Sequence, residues 1–245
     1  MMGLRGVTAR GHGVIVLAMG VFLLCGMSAT FQANHEQRSF ELLTHRMDVD
    51  VDGAPTAYGP PTKETLDDLR NAHSMGRLDA PIVGYLIEDA PPHNPVVQGP
   101  QDPAPGYYVS QTAFEDESVE NERDPRRYVD ATKINYVVLG HEAREKGARL
   151  GDFVAVYSQR THRSVFGIVG DSGNPSGDEG SLHLLQALGY RFHNGKDDAV
   201  EDAEIVIRFF PGSNPEHRFF RKQAALDKAA EEMGLSRTFD EREKE

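Results

Sequence analysis

Apolar positions in this chain fall into one long run followed by many short ones. The long run, residues 13–31, follows Arg5 and Arg10 and stops at Gln32, Asn34, His35 and Glu36, the layout of a Sec-type export segment. It is also close to the ~18 residues at which a helix can span a bilayer. Residues 1–33 are therefore predicted to be a signal peptide or an N-terminal membrane anchor. The remainder is expected outside the cytoplasm, extracellular or periplasmic, either released or held through residues 13–31. Gly26 and Ser28 offer the small residues of a cleavage site, whereas Leu24 argues against a lipid anchor on Cys25.

Between residues 34 and 212 the pattern shortens to stretches rich in Val, Ile, Tyr and Phe, separated by Gly- and Pro-rich loops. Strands are predicted over 47–52, 82–88, 106–110, 134–139, 152–158, 164–169 and 204–210. Two segments read as helix. Over 181–188 the leucines Leu182, Leu185 and Leu188 recur at helical spacing before a C-cap at Gly189. From about residue 216 an Ala-, Glu- and Lys-rich tail, 213–245, ends in a charge run over 240–245. The class expected is mainly β, with few short helices.

Composition narrows the chemistry. The 245 residues carry 26 Lys and Arg against 38 Asp and Glu, a net charge of -12, and removing the two leader arginines leaves the exported part at -14. Such a surface has no basic stripe with which to displace counterions, so nucleic acid is not an expected partner. A cationic or neutral ligand suits it better. One Cys excludes an internal disulfide and a Cys-rich zinc site. Neither an H-E-x-x-H pattern nor an i, i+4 His pair occurs among the ten histidines. No metal or cofactor is expected.

Two acidic features carry candidate chemistry. In Asp48-Val49-Asp50-Val51-Asp52-Gly53 the acids fall at positions 1, 3 and 5 of a calcium loop, but position 12 is Gly59 rather than the required Glu. Strict alternation instead describes a strand with Asp48, Asp50 and Asp52 on one face and Met47, Val49 and Val51 on the other. Such a face is either a solvated strand end or a surface for a cationic ligand. The second feature is the loop 170–181, bracketed by Asp171 and Glu179. Two carboxylates across a cleft are the minimum machinery of glycosidic hydrolysis. Gly170-Asp171-Ser172-Gly173-Asn174-Pro175 also looks like the nucleophile loop of trypsin-like proteases, but Asn174 stands where that loop has its second Gly. His73, in Asn71-Ala72-His73-Ser74, lacks the Ala-Ala-His-Cys setting of that family.

Taken in order, these pieces resemble the fungal-type chitosanases, glycoside hydrolase family 75, over about residues 45–212. The resemblance rests on the Asp-rich strand, on Tyr107-Tyr108-Val109-Ser110-Gln111-Thr112, and on the apolar strand Ile134-Asn135-Tyr136-Val137-Val138-Leu139. Further matches are Gly151-Asp152-Phe153-Val154-Ala155-Val156, the run 165–173, Asp178-Glu179-Gly180-Ser181 and a closing Phe210-Pro211-Gly212-Ser213. It implies an inverting endo-hydrolase of chitosan, a cationic polysaccharide, acting as a monomer, with 34–212 as catalytic domain. It implies Glu179 as general acid and Asp171 as base. Asp48, Asp50 and Asp52 would meet glucosamine ammonium groups, and Tyr58, Tyr107 and Tyr108 would stack on sugar faces. The fold implied is a compact, closed six-stranded, double-psi-like β-barrel with decorating loops. Here Asp178 stands where the family has Gly, and cysteines typical of the family domain are missing. The alternatives are a peptidoglycan hydrolase or lytic transglycosylase on the same barrel, and a non-catalytic polysaccharide-binding protein of the cell envelope. A helix N-terminus close to Glu179 would lower its pKa, opposite to what a general acid needs, so burial or a like charge has to act against it.

Overall fold

The computed structural model describes residues 39–239. The expected export segment with Cys25 and the charge run 240–245 lie outside the described residues. In chain order the elements are β1 (Phe40–Leu43), β2 (Met47–Asp50), β3 (Tyr136–Leu139), α1 (His141–Glu145), β4 (Phe153–Ser158) and β5 (Arg163–Ser172). β6 (Glu179–Ser181), α2 (Leu182–Ala187), β7 (Ala199–Val200), β8 (Ile205–Phe209) and α3 (Gln223–Glu232) follow. Among the described residues no helix is long and apolar enough to cross a membrane.

All eight strands join one mixed sheet in the order β1-β8-β4-β5-β3-β6-β2-β7, curled into a half-barrel. The pairs β3–β5 and β2–β6 are parallel and the remaining pairs antiparallel. This differs from the closed six-stranded, double-psi-like barrel expected from the sequence. β1 and β7 are the two ends of the order, and the sheet stays open between them. The predicted strands 82–88 and 106–110 do not form ladders; they meet neighbours only at single bridges such as Tyr85 with Ser110 and Val97 with Tyr108. Pro81, Pro91, Pro92, Pro95, Pro103 and Pro105 punctuate this stretch, and each removes a backbone donor that a ladder needs. Three strands the pattern did not reveal, β1, β6 and β7, are short, and none is rich in β-branched residues.

Every residue of β3 and β4 is buried, as befits strands covered on both faces. β4 and β5 form a hairpin, with Val154 opposite Gly167 and Val156 opposite Val165. The helix predicted over 181–188 is α2, capped by Ser181, whose Oγ accepts from the backbone N–H of Leu184 at 3.1 Å. The same oxygen accepts from Tyr136 N–H and donates to Ile134 C=O, which ties the start of α2 to β3. The predicted tail helix begins later than residue 216, because Asn214 Oδ1 accepts from Arg218 N–H at 2.9 Å and holds that stretch as a loop. α3 then delivers Leu226, Ala229 and Ala230 to the main core, joined there by Phe220 and Phe239.

One irregularity positions the chemistry. The register of β3 on β5 steps between Val137, opposite Val169, and Val138, opposite Asp171, so Gly170 is an extra residue in the ladder. A bulge of this kind re-aims the side chain that follows it. Gly170 permits it because a Cβ there would lie 2.6 Å from Cβ of Tyr136.

Candidate active site

The acid-bearing end of the sheet lines a cleft of about 640 Å³. As alternation predicts, Met47, Val49 and Val51 are buried in the core. Asp48, Asp50 and Asp52 turn the other way and line the cleft, together with Asp171 and Glu179. Glu179 is paired with Asp48 across β6 and β2, and Asp171 lies beyond β3 at the bulge. With β3 between them, Asp171 and Glu179 are two strand spacings apart, about 9.5 Å for a flat sheet. Carboxylate oxygens of Asp50, Asp52 and Asp171 all lie within 4.8 Å of one another, a grouping that could hold a cation or share protons.

Hydrogen bonds engage one oxygen of Asp171, Glu179 and Asp52 and leave the other, whereas Asp50 has both the Asp52 N–H and the Tyr136 hydroxyl as partners. Asp171 Oδ1 accepts from the N–H groups of Ala113 at 2.8 Å and Ser172 at 2.7 Å. Glu179 Oε1 accepts from Asn174 Nδ2 at 2.9 Å. Asp52 Oδ1 accepts from the Tyr58 hydroxyl at 2.7 Å, and Asp50 Oδ1 from Asp52 N–H at 2.8 Å. The Tyr136 hydroxyl donates to the backbone carbonyl of Asp52 at 3.0 Å. Asp48 is paired with Arg46 at the exposed rim.

Burial dominates the electrostatics, because desolvation penalises the charged form. It pushes Glu179 up to about 8, with Asp50, Asp48 and Asp178 adding repulsion against the bond from Asn174. Asp171 is held well above its ordinary value by burial and by Asp50, opposed by its two backbone donors. Burial, then Asp50 and Asp171, do the same to Asp52. Asp50 is raised to about 6. Burial thus favours the protonated form of Glu179, as it does that of Asp52 and Asp171. Glu179 stands in β6, three residues ahead of a helix of six residues, and burial outweighs the helix-terminus effect that would lower its pKa.

The expected aromatic platforms are not at this cleft. Tyr58 lines it, but the residue is only 2% exposed and engages Asp52 through its hydroxyl, so no ring face is free for a sugar. Tyr107 and Tyr108 are absent from the described lining. The Tyr107 hydroxyl donates to Glu64 C=O, with the Lys63 ammonium 5.0 Å from its ring centroid, and the Tyr108 ring packs 5.1 Å from Tyr85. Their place in a bridged loop, invisible in the Tyr-Tyr motif, directs them elsewhere. The cleft also holds Asp67, which the sequence did not single out and which burial raises to about 6, and His73, weighed above only against the protease pattern and bonded through Nδ1 to Ala80 C=O at 2.7 Å. Adjacent acids at 67 and 68 gave no signal, since burial alone separates them.

No protein-family model matches this chain, and no curated protein matches it.

Proposed function

We propose that the protein is an exported endo-acting glycoside hydrolase that cleaves β-1,4 linkages of chitosan by inversion. The observation that supports this best is that Glu179, whose proton burial and the neighbouring acids favour, lines one cleft together with Asp171. Glu179 would give its proton to the leaving glycosidic oxygen. Asp171, through the oxygen left over by its two backbone donors, would take a proton from the water attacking the opposite face of the sugar. An inverting pair needs about 6.5–9.5 Å between its carboxyls to leave room for that water, and the backbones that carry these two acids are two strand spacings apart. Asp48, Asp197, Asp198 and Glu201 outweigh Arg46 and Lys196 along the cleft, which favours a substrate carrying ammonium groups.

Reducing-end release from soluble glucosamine oligomers tests the reading. Asp171→Asn and Glu179→Gln should each lower kcat by about 10²–10⁴-fold, and NMR of the first product should show the α-anomer. A wild-type protein that releases nothing overturns the proposal. If Glu179→Gln alone abolishes cleavage and peptidoglycan is the better substrate, the activity is that of a lytic transglycosylase. Binding without turnover identifies a polysaccharide-binding protein. The pH–rate profile should be bell-shaped. Its alkaline limb should lie near 8, where Glu179 loses its proton, and its acid limb is set by the Asp50, Asp52 and Asp171 cluster.

A further inference from the structure

Glu179 does not hold its own orientation; the loop between β5 and β6 does so through one side chain. Asn174 Oδ1 accepts from the backbone N–H of Ser176 at 3.0 Å and from its hydroxyl at 2.9 Å. A backbone N–H can only donate, so the atom facing Ser176 is the amide oxygen and the NH₂ group must face the other way. There it donates to Glu179 Oε1 at 2.9 Å. The loop that carries this amide is itself pinned: His141 N–H donates to Pro175 C=O at 2.8 Å. Gly177, at φ 73, packs so closely on Gly140 that a Cβ would lie 2.7 Å from its backbone nitrogen.

We infer that Asn174 is a positioning residue for the general acid, fixing which oxygen of Glu179 carries the transferable proton. A neutral carboxyl has one carbonyl oxygen, which accepts, and one hydroxyl oxygen, which donates. The Asn174 amide occupies Oε1 as the acceptor, so the proton resides on Oε2, the oxygen with no partner among the described residues. Without that amide the proton can reside on either oxygen and points toward the substrate only part of the time. The inference rests on the hydrolase reading given above.

The groups that act most strongly on Glu179 are acidic, Asp50 and Asp48 from β2, Asp171 from β5 and Asp178 beside it, while Arg46, His73 and Lys196 line the same cleft. The acids repel the ionised form in every variant, so Asn174→Ala reads out the loss of the amide and Asn174→Asp that loss together with an added charge. Asn174→Asp is the informative substitution. Its carboxylate can still accept both bonds from Ser176 and keep the loop in place, but it has no N–H to offer Glu179. Removing that donor raises the pKa of Glu179. The alkaline limb of the pH–rate profile should move up by about half to one pH unit in Asn174→Ala, and further in Asn174→Asp, where a charge is added. The kcat at the optimum should fall by about tenfold to a hundredfold in both.

The test measures pH–rate profiles on glucosamine oligomers together with the ¹³C carboxyl titration of Glu179 in the full chain, for wild type, Asn174→Ala and Asn174→Asp. Upward movement of both the alkaline limb and the Glu179 titration, with lowered kcat, supports the assignment. If wild type is active and Asn174→Asp keeps its kcat, its limb and an unmoved titration, Asn174 only holds the loop. The inference is then overturned and the hydrolase reading stands. If wild type is inert, the hydrolase reading falls, and with it any catalytic use of the Asn174 contact, whatever the titration shows.

Discussion

The two halves of the sheet satisfy a buried carboxylate to different degrees, although burial raises the pKa of the acid in both. On the β8–β4–β5 side the strands run to 5, 6 and 10 residues and are filled with Val, Ile and Phe. Asp152, at the head of β4, is buried there, but Gly212 N–H donates to its Oδ1 at 2.9 Å and Arg149 N–H to its Oδ2 at 2.8 Å. On the β6–β2–β7 side the strands have only 3, 4 and 2 residues. Asp50, Asp52 and Glu179 face there toward Asp171, which reaches them from the end of β5 across β3, and Asp52, Asp171 and Glu179 each keep an oxygen back. A buried acid whose two oxygens both take backbone donors is part of the architecture. One that keeps an oxygen back, with carboxylates for neighbours, is equipped for proton transfer and lowers the stability of the fold.

Breaking the apolar half should give the largest effect and leave the chemistry in place. Phe153 is 1% exposed and its ring lies 5.6 Å from that of Phe220. Phe153→Ala should cost about 3–5 kcal/mol in urea unfolding, while both limbs of the pH–rate profile stay where they are. A moved limb would show that the halves are coupled. The second effect tests the seam between them. Gly170→Ala places a methyl group against Tyr136 and should cost about 1–3 kcal/mol. By shifting Asp171 it should also remove most turnover, and an active Gly170→Ala would mean that the bulge does not aim the base.

What could be read from the sequence divides along the same line. Long apolar runs gave β3, β4, β5 and β8 to within a few residues, because a strand covered on both faces advertises itself at every position. The face shared by Asp48, Asp50 and Asp52 was equally legible, since alternation is a local property. The strands β6 and β7 were not, because elements of two or three residues exist only through their partners. Nor did the pattern disclose that Asp52 and Asp171, far apart in the chain, stand within 4.8 Å. That proximity comes from parallel pairing and curl, which are properties of the whole sheet. The orientation of Asn174 depends on a single backbone N–H, a detail that composition cannot carry.

The smallest effect separates the two kinds of buried acid most sharply, because one substitution should act with opposite signs. A carboxyl whose pKa is raised on folding contributes stability that is fully present below its unfolded value and lost as pH rises through its folded one. For the cleft acids the ordinary values are 3.8 and 4.5, and the folded values are about 6 for Asp50, about 8 for Glu179 and well above the ordinary one for Asp52 and Asp171. Wild-type stability should therefore decline from about pH 4 to about pH 8. Asp52→Asn keeps an oxygen for the Tyr58 hydroxyl and removes one charge from the cluster, so it should stabilise the protein at pH 8 by roughly 1 kcal/mol and change little at pH 4. Asp152→Asn replaces one of two accepting oxygens with an NH₂ group and strands a buried backbone donor. It should destabilise by roughly 1 kcal/mol or more at pH 8. Urea unfolding of both variants at the two pH values decides the matter. Equal signs at pH 8 would mean that the cleft carboxylates are held as comfortably as Asp152, and that their crowding has no energetic consequence.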